Sequence, residues 1–344
     1  MGDEAALTGT RLACGGNFQG GRFNARSRLR AKEHADSTAI MSPSQHDSSA
    51  RAILYAFLAN LGIALSKSWA AWFTGSGSML AEAIHSFADC GNQVLLFVGL
   101  RQSAKPADPE HPLGYGKVSY FWSFVVALML FSLGGLFSVY EGWHKLSQPE
   151  PLNRAWVALV VLGLSIGLEI ASTAGCLREI GKLRGDRSLR TWLERTRNAE
   201  LVVVLGEDVA ALIGLLVAFC FISLSIYTGN PVYDAIGSMC IGVILIVISL
   251  WVARRIKSLI IGKSAEPELR RLVEKFISND DAIVRVFNII TMQFGAKVML
   301  AAKVRIRADV TLARAIARIN ALEENIKAEF PEVAWCFIEP DVRD

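Results

Sequence analysis

Six long apolar runs constrain this 344-residue chain more than any other feature. A helix needs about 20 apolar residues to cross the hydrocarbon core of a bilayer, which is about 30 Å thick. With 52% hydrophobic residues, the chain is too apolar for an ordinary soluble domain. The sequence therefore predicts a bundle of six membrane-spanning helices, over residues 53–73, 80–100, 120–143, 155–176, 201–226 and 232–253.

The second run carries ionisable residues on one helical face. Glu82, His85 and Asp89 stand at positions i, i+3 and i+7, so they point the same way. A central Asp costs about 2.5–3.5 kcal/mol on insertion scales, and such residues usually mark an ion or proton path. His85 and Asp89 are therefore predicted metal ligands, while Glu82, nearer the outer end, is a gateway or capping acid. The alternative for His85 and Asp89 is a buried hydrogen-bonded pair that fixes the helix against a neighbour.

Two further runs carry acids that could complete such a site. Glu169 lies within the fourth run, as either a ligand or a hydrogen-bond acceptor in packing. Glu207 and Asp208 lie within the fifth run, about 100° apart on a helix. One of them can bind metal while the other takes a proton or pairs with a basic residue. Several helices that bring acids and one imidazole to the same depth predict a site for a divalent cation.

The placement of basic residues predicts the topology. Lys and Arg concentrate in the loops after the second, fourth and sixth runs, and such residues accumulate in cytoplasmic loops. Both termini are therefore predicted to be cytoplasmic, and the basic loops indicate topology rather than nucleic-acid binding. A bacterial inner membrane is the predicted location. A transit peptide is disfavoured because such peptides tend to lack acids, and this head carries Asp3, Glu4, Glu33 and Asp36.

Composition divides the chain into three predicted regions. Residues 1–50 are polar without a hydrophobic period, which predicts a disordered segment. Residues 51–262 form the transmembrane domain. Residues 263–344 read as α-β-β-α-β, with helices over 267–278 and 312–330. This order predicts a small cytoplasmic α+β domain with a ferredoxin-like sheet.

Several motifs together resemble the cation diffusion facilitator family. In chain order they are Asn60 to Lys67, the segment AEAIHSFAD at 81–89, the loop HPLGYGK at 111–117, Glu141-Gly-Trp, Asp234-Ala-Ile-Gly-Ser and Phe337-Ile-Glu-Pro. Glu207-Asp208 closely followed by two alanines, with Tyr115 in place of a loop histidine, resembles the zinc transporter nine branch. The resemblance covers nearly everything from about residue 51 to the end.

The resemblance implies a homodimer that exports divalent metal, typically Zn²⁺, from the cytoplasm in exchange for protons. Metal is then the cargo, and no cofactor is expected. The family's site uses HxxxD or DxxxD in the second helix and HxxxD in the fifth. His85 and Asp89 fit, and Asp208 matches the second acid, but Val204 stands where the second histidine is expected. The departure leaves open whether Glu169 or Glu207 replaces that histidine.

The same resemblance implies a second metal position in the loop before the third helix. This chain has Asp108 and His111 there, but Tyr115 where the family has a histidine. Because a phenol is a poor Zn²⁺ ligand, the loop is predicted to form at most a weak second site or access point. A tight turn that starts the third helix is the preferred interpretation. The tail has no histidine, with Cys336, Glu339 and Asp341 as its plausible ligands, so it is predicted to dimerise without a well-formed metal cluster.

Three alternatives accompany this prediction. Mn²⁺, Fe²⁺ or Co²⁺ could be the cargo, since oxygen ligands discriminate less strictly among these ions. An intramembrane metalloenzyme could hold a catalytic metal with the same residues, although the chain lacks HExxH. A membrane scaffold would leave the buried acids unexplained.

Overall fold

A computed structural model describes residues 45–74, 77–147 and 155–343. Within these ranges the side chains of residues 45, 46, 74, 77–82, 84, 85, 88 and 155 are not described. Most of the predicted disordered segment 1–50 therefore lies outside the described residues. The first helix begins at Gln45, earlier than the predicted residue 53.

Helices make up most of the described chain before residue 262. They are α1 (Gln45–Thr74), α2 (Gly77–Ser103), α3 (Val118–Ser147), α4 (Ala155–Arg184), the short α5 (Leu189–Arg195), α6 (Ala199–Thr228) and α7 (Val232–Ile261). Within α3, residues Leu130–Leu136 form a π-helical segment. The helices run past the predicted ends because polar residues at both margins continue the helical hydrogen bonding.

Five of these helices are long and apolar enough to cross a membrane: α1, α3, α4, α6 and α7. The second predicted span is also a helix, α2, but does not reach that apolarity. Its sequence carries Glu82, His85 and Asp89, then Asn92 and Gln93 within the next turn. The same residues that predict a site thus lower its hydropathy, and its crossing of the membrane stays a prediction.

Local signals define the start and end of α6. Asn198 precedes the helix, and its side-chain oxygen accepts a hydrogen bond from the Leu201 N–H at 2.9 Å, as an N-cap residue does. Gly229 ends the helix with a φ of 68°, a conformation that favours glycine. These caps fix the register in which Glu207 and Asp208 enter the bundle.

An apolar core fills the bundle on the side nearest the C-terminal domain, here the tail side. It includes Leu96, Tyr120, Ile180, Leu201 and Ile256, each at most 1% exposed. This core contains residues from α1, α2, α3, α4, α6 and α7. It therefore closes the tail side of the bundle with tightly packed side chains.

The C-terminal domain has two helices and a three-stranded sheet, in the predicted order α-β-β-α-β. The elements are α8 (Pro267–Ser278), β1 (Ile283–Phe294), β2 (Lys297–Ile306), α9 (Leu312–Glu329) and β3 (Val333–Pro340). Strand β2 is central, antiparallel to β1 and parallel to β3. The helices cover one face through a core that includes Ile277, Leu300 and Ile326. The sheet is mixed, and the ferredoxin-like assignment stays a prediction.

The C-terminal domain contacts the bundle closely. The Tyr120 hydroxyl donates a hydrogen bond to the Gly295 carbonyl at 3.3 Å, and the buried Arg197 donates to the Ser264 carbonyl at 2.7 Å. A Cβ added at Gly116 would lie 2.5 Å from the Phe294 carbonyl oxygen. The β1–β2 turn therefore rests directly on the loop that begins α3.

Candidate metal site in the membrane bundle

A cavity of about 260 Å³ lies among α1, α2, α3, α4, α6 and α7. Three acids, Asp89, Glu169 and Glu207, line it where the tail-side core ends. From there it extends away from the C-terminal domain to Glu141 and Asp234, near the opposite ends of α3 and α7. The structure therefore brings three of the five predicted ligands to one cavity.

Two amide side chains on α2 donate hydrogen bonds to Glu207. The Asn92 Nδ2 donates to Glu207 Oε1 at 3.1 Å, and the Gln93 Nε2 donates to Oε2 at 2.7 Å. All three side chains are at most 6% exposed. Burying a carboxylate is costly unless it is hydrogen-bonded, so these amides stabilise and orient Glu207.

Asp208 points toward α4 rather than into the cavity. Its Oδ2 accepts a hydrogen bond from the Ser172 hydroxyl at 3.1 Å, and the side chain is 2% exposed. It is absent from the cavity lining, as expected from the 100° between neighbours on a helix.

Glu169, contributed by α4, is a second buried acid that lines the cavity. It is 2% exposed, and its Oε2 has no hydrogen-bond partner within the described part of the chain. It lies within electrostatic reach of Asp208, Glu207 and Asp89. A glutamate that only accepts hydrogen bonds within the packed bundle would have both carboxyl oxygens paired. Glu169 does not fit that role.

The α2 ligands are described only in part. Asp89 lies on α2 and lines the cavity. His85 also lies on α2, but its side chain is outside the described residues. Among the described side chains, no three His, Cys, Asp or Glu residues meet in a group that could hold a metal ion.

Val204 occupies a different environment from the one a missing ligand would need. It is completely buried in the tail-side core and does not line the cavity. The position where the family's second histidine is expected therefore lies outside the cavity lining.

The loop before α3 forms a compact turn around Asp108. Its Oδ2 accepts a hydrogen bond from the Tyr115 hydroxyl at 2.6 Å, and its Oδ1 accepts one from the His111 backbone N–H at 2.7 Å. The Tyr115 hydrogen bond is the main cause that lowers the pKa of Asp108, followed by the one from His111. These contacts match the preferred interpretation of a tight turn.

Two of the tail's three plausible ligands, Cys336 and Asp341, are buried or engaged, whereas Glu339 is exposed. Cys336 is 3% exposed, and burial raises the pKa of its thiol to about 12, so it stays protonated. Asp341 forms an ion pair with Lys303 at 2.9 Å. Neither group is prepared to bind a metal in this conformation.

Sequence reasoning missed the polar partners of the acids. Asn92 and Gln93 follow Asp89 by three and four residues, so they continue its helical face. Extending the ionisable stripe to amides would have found them. The triad at the far end of the cavity, in which Lys145 pairs with Glu141 at 3.1 Å and Asp234 at 3.4 Å, carried no comparable signal.

Apolar helices around an acid-lined cavity, followed by a small α+β domain, define an integral membrane protein of the transporter class. The family of the cation efflux transmembrane domain matches residues 53–260. The chain therefore belongs to the cation efflux, or cation diffusion facilitator, family, as its motifs predicted. This is a family of transporters, which removes the enzyme alternative.

Three relatives illustrate the family. The chain is 32% identical over 257 residues to the proton-coupled zinc antiporter SLC30A9, mitochondrial, of Xenopus laevis. This alignment covers 74% of this chain and 45% of that protein. It is 31% identical over 243 residues to metal tolerance protein C4 of Arabidopsis thaliana, covering 70% and 53%. It is 27% identical over 274 residues to the uncharacterized transporter sll1263 of Synechocystis sp. (strain ATCC 27184 / PCC 6803 / Kazusa), covering 79% and 82%. The chain thus spans about half the length of the first two.

Proposed function

We propose that this protein exports divalent transition metal cations, Zn²⁺ foremost, from the cytoplasm in exchange for protons. The observation that carries the proposal is the cavity that ends at Asp89, Glu169 and Glu207. Buried acids inside a membrane protein are costly and mark ion or proton paths. Relatives named as proton-coupled zinc antiporters support the same cargo. Mn²⁺, Fe²⁺ and Co²⁺ remain alternative cargoes of an oxygen-rich site.

The candidate ligands of the proposed site are His85 and Asp89 from α2 and the acids Glu169, Glu207 and Asp208 from α4 and α6. To bind a divalent ion, the imidazole must be neutral and the carboxyl groups ionised, so metal binding releases protons. Metal and protons thus compete for the same groups. This competition couples the outward movement of metal to the inward movement of protons.

The cavity and the core support an alternating-access cycle. The tail side is closed by packed apolar residues, whereas the cavity extends from the acids to the opposite end. This arrangement corresponds to a state open away from the tail. In the proposed cycle, repacking of the tail-side core opens the acids to the cytoplasm.

The proposed assembly is a homodimer in the inner membrane of a bacterium, with both termini in the cytoplasm. Each chain has three proposed regions, residues 1–50, 51–262 and 263–344. An apolar patch on the uncovered face of the sheet supports dimerisation. Ile290 and Phe337 are 56% and 57% exposed there, and both pair in register with Ala301 of β2.

Flux into proteoliposomes tests the proposed function. Vesicles with an acidic interior and a trapped Zn²⁺-sensitive dye should accumulate Zn²⁺ through the wild type, because proton exit drives metal entry. Asp89→Ala should abolish accumulation. Asp309→Ala, which removes an exposed acid paired with Arg307 in the tail, should leave it unchanged. Zn²⁺ accumulation above the external concentration that persists after the pH gradient is collapsed would contradict proton exchange.

A further inference from the structure

Three buried acids of α4 and α6 differ in their hydrogen bonding. Glu169 and Glu207 line the inner end of the cavity, whereas Asp208 faces α4. Both oxygens of Glu207 accept amide hydrogen bonds, and Asp208 accepts one from Ser172. Glu169 alone among these three has a buried carboxyl oxygen with no partner in the described ranges. Burying a carboxyl oxygen without a hydrogen-bond partner costs free energy. This oxygen is therefore expected to bind a ligand that is not part of the protein.

The surrounding face of α4 points to the same conclusion. Ser165, Glu169 and Ser172 stand at i, i+4 and i+7, so they share one helical face. All three are at most 3% exposed, and the Ser165 hydroxyl also has no hydrogen-bond partner among the described residues. This face therefore presents a polar stripe to the bundle with two unpaired oxygen atoms.

We propose that Glu169 is the carboxylate ligand that replaces the absent histidine, so that α2 and α4, rather than α2 and α6, provide the metal ligands. The proposal rests on the proposed function, transport of a divalent cation through this cavity. It assigns Glu207 and Asp208 to orientation and packing, since their oxygens are already engaged by Asn92, Gln93 and Ser172.

A carboxylate ligand at Glu169 changes the metal preference of the site. An oxygen donor in place of an imidazole nitrogen makes the site harder, and carboxylates suit Mn²⁺ better than imidazole does. The substrate class is therefore divalent first-row metal with weaker preference for Zn²⁺ over Mn²⁺ than a two-histidine site would have. Glu169 is the residue that sets this preference.

The chain offers a matched control on the same helix. Glu179 lies ten residues beyond Glu169, about 15 Å along the axis of α4. It is 1% exposed and also has an Oε2 without a hydrogen bond, but it forms ion pairs with Arg51 and Lys182 and does not line the cavity. Glu179→Gln therefore removes the charge of a buried glutamate on α4 without altering a residue that lines the cavity.

Titration of the purified full-length protein with Zn²⁺ and Mn²⁺ tests the proposal, with thermal unfolding as the stability readout. Glu169→Gln should weaken binding of both metals by at least about tenfold, since even outer residues of metal sites contribute that much. Glu179→Gln should leave both affinities unchanged. Glu169→His should raise the ratio of Zn²⁺ to Mn²⁺ affinity, a change that a purely structural role would not produce.

Two outcomes separate failure of this proposal from failure of the proposed function. A wild type that binds neither metal would overturn both. A wild type that binds Zn²⁺, with unchanged affinity in Glu169→Gln, would overturn only the role of Glu169. If the glutamine variant is unstable, Glu169→Asp serves instead, because it keeps the charge but shortens the side chain by one methylene group. Wild-type affinities and selectivity in that variant would equally contradict the proposal.

Discussion

Glu207 shows how one residue can be buried in an apolar bundle as part of a polar network. Its two oxygens accept hydrogen bonds from Asn92 and Gln93, so helix α2 carries the donors and helix α6 the acceptor. The amide oxygens of Asn92 and Gln93 are themselves buried without partners in the described chain. The amides therefore act mainly as donors that fix Glu207 beside the cavity.

Removing one donor should disturb the site. In Gln93→Leu, Glu207 loses its shorter hydrogen bond, and a buried polar group without its partner costs about 1–3 kcal/mol. Zn²⁺ affinity should fall about tenfold, because a reoriented carboxylate changes the cavity. Gln102→Leu is the control on the same helix, since the Gln102 oxygen accepts a hydrogen bond from Trp122 at 3.1 Å and does not line the cavity. Equal Zn²⁺ affinities in the two variants, measured by titration, would argue against a positioning role for Gln93.

At the residue scale, the sequence predicted the acids better than their partners. Helical periodicity and the cost of burying charge selected Asp89, Glu169, Glu207 and Asp208, and the first three of these line the cavity. Asn92 and Glu207 are 115 residues apart, and no local pattern pairs them. Only the three-dimensional structure shows that α2 donates hydrogen bonds to Glu207 of α6 and that one oxygen of Glu169 on α4 has no partner among the described residues.

Among the elements, α3 combines a π-helical segment with close packing against α7. A π-bulge inserts a residue and shifts the register of the turns that follow. The helices approach through glycines: an added Cβ at Gly135 would lie 2.6 Å from Ile246 Cγ1, and one at Gly242 would lie 2.7 Å from the Gly135 carbonyl oxygen. Small residues at helix interfaces allow such approach in membrane proteins.

Adding a methyl group at this contact should destabilise the bundle. A Cβ at Gly142 would lie 2.7 Å from the Ala235 carbonyl oxygen and 2.8 Å from the Met239 nitrogen, both backbone atoms. Overpacking costs about 1–3 kcal/mol, which should exceed the gain of about 1 kcal/mol in helix propensity. Gly142→Ala should therefore unfold at a lower temperature in detergent than the wild type.

Gly163→Ala provides the comparison for this experiment, because a Cβ there meets nothing within 4 Å. It should be neutral or slightly stabilising. A Gly142→Ala protein as stable as Gly163→Ala would mean that α3 and α7 separate easily, contrary to the packing described.

The elements of the C-terminal domain followed from periodicity, while the helix ends in the bundle did not. Residues 267–278 form a helix with the predicted bounds, because amphipathic spacing and the first-turn Pro267 define it locally. The predicted spans were shorter than α1 and α4, since hydropathy detects the apolar centre of a helix and not its polar ends. The π-segment of α3 had no sequence signal.

At the scale of the whole molecule, the cavity and the apolar core lie on opposite sides of the acids. The core closes the tail side, and the β1–β2 turn at Gly295 packs against Gly116 at the start of α3. Gly295 has a φ of 60°, and a Cβ added there would lie 2.8 Å from the Gly116 carbonyl oxygen. The positive φ and the close approach both require glycine at residue 295. The C-terminal domain is thus in direct contact with the end of the bundle that must open in the proposed cycle.

The most direct test of this account is the position of bound Zn²⁺, located by anomalous diffraction at the zinc edge from crystals of the full-length protein. The predicted result is a peak at the inner end of the cavity, about 2.0–2.2 Å from carboxylate oxygens of Asp89 and Glu169. A peak confined to the Asp108 loop or to the C-terminal domain, with no density beside Asp89 and Glu169, would show that the acids of the bundle do not hold the metal.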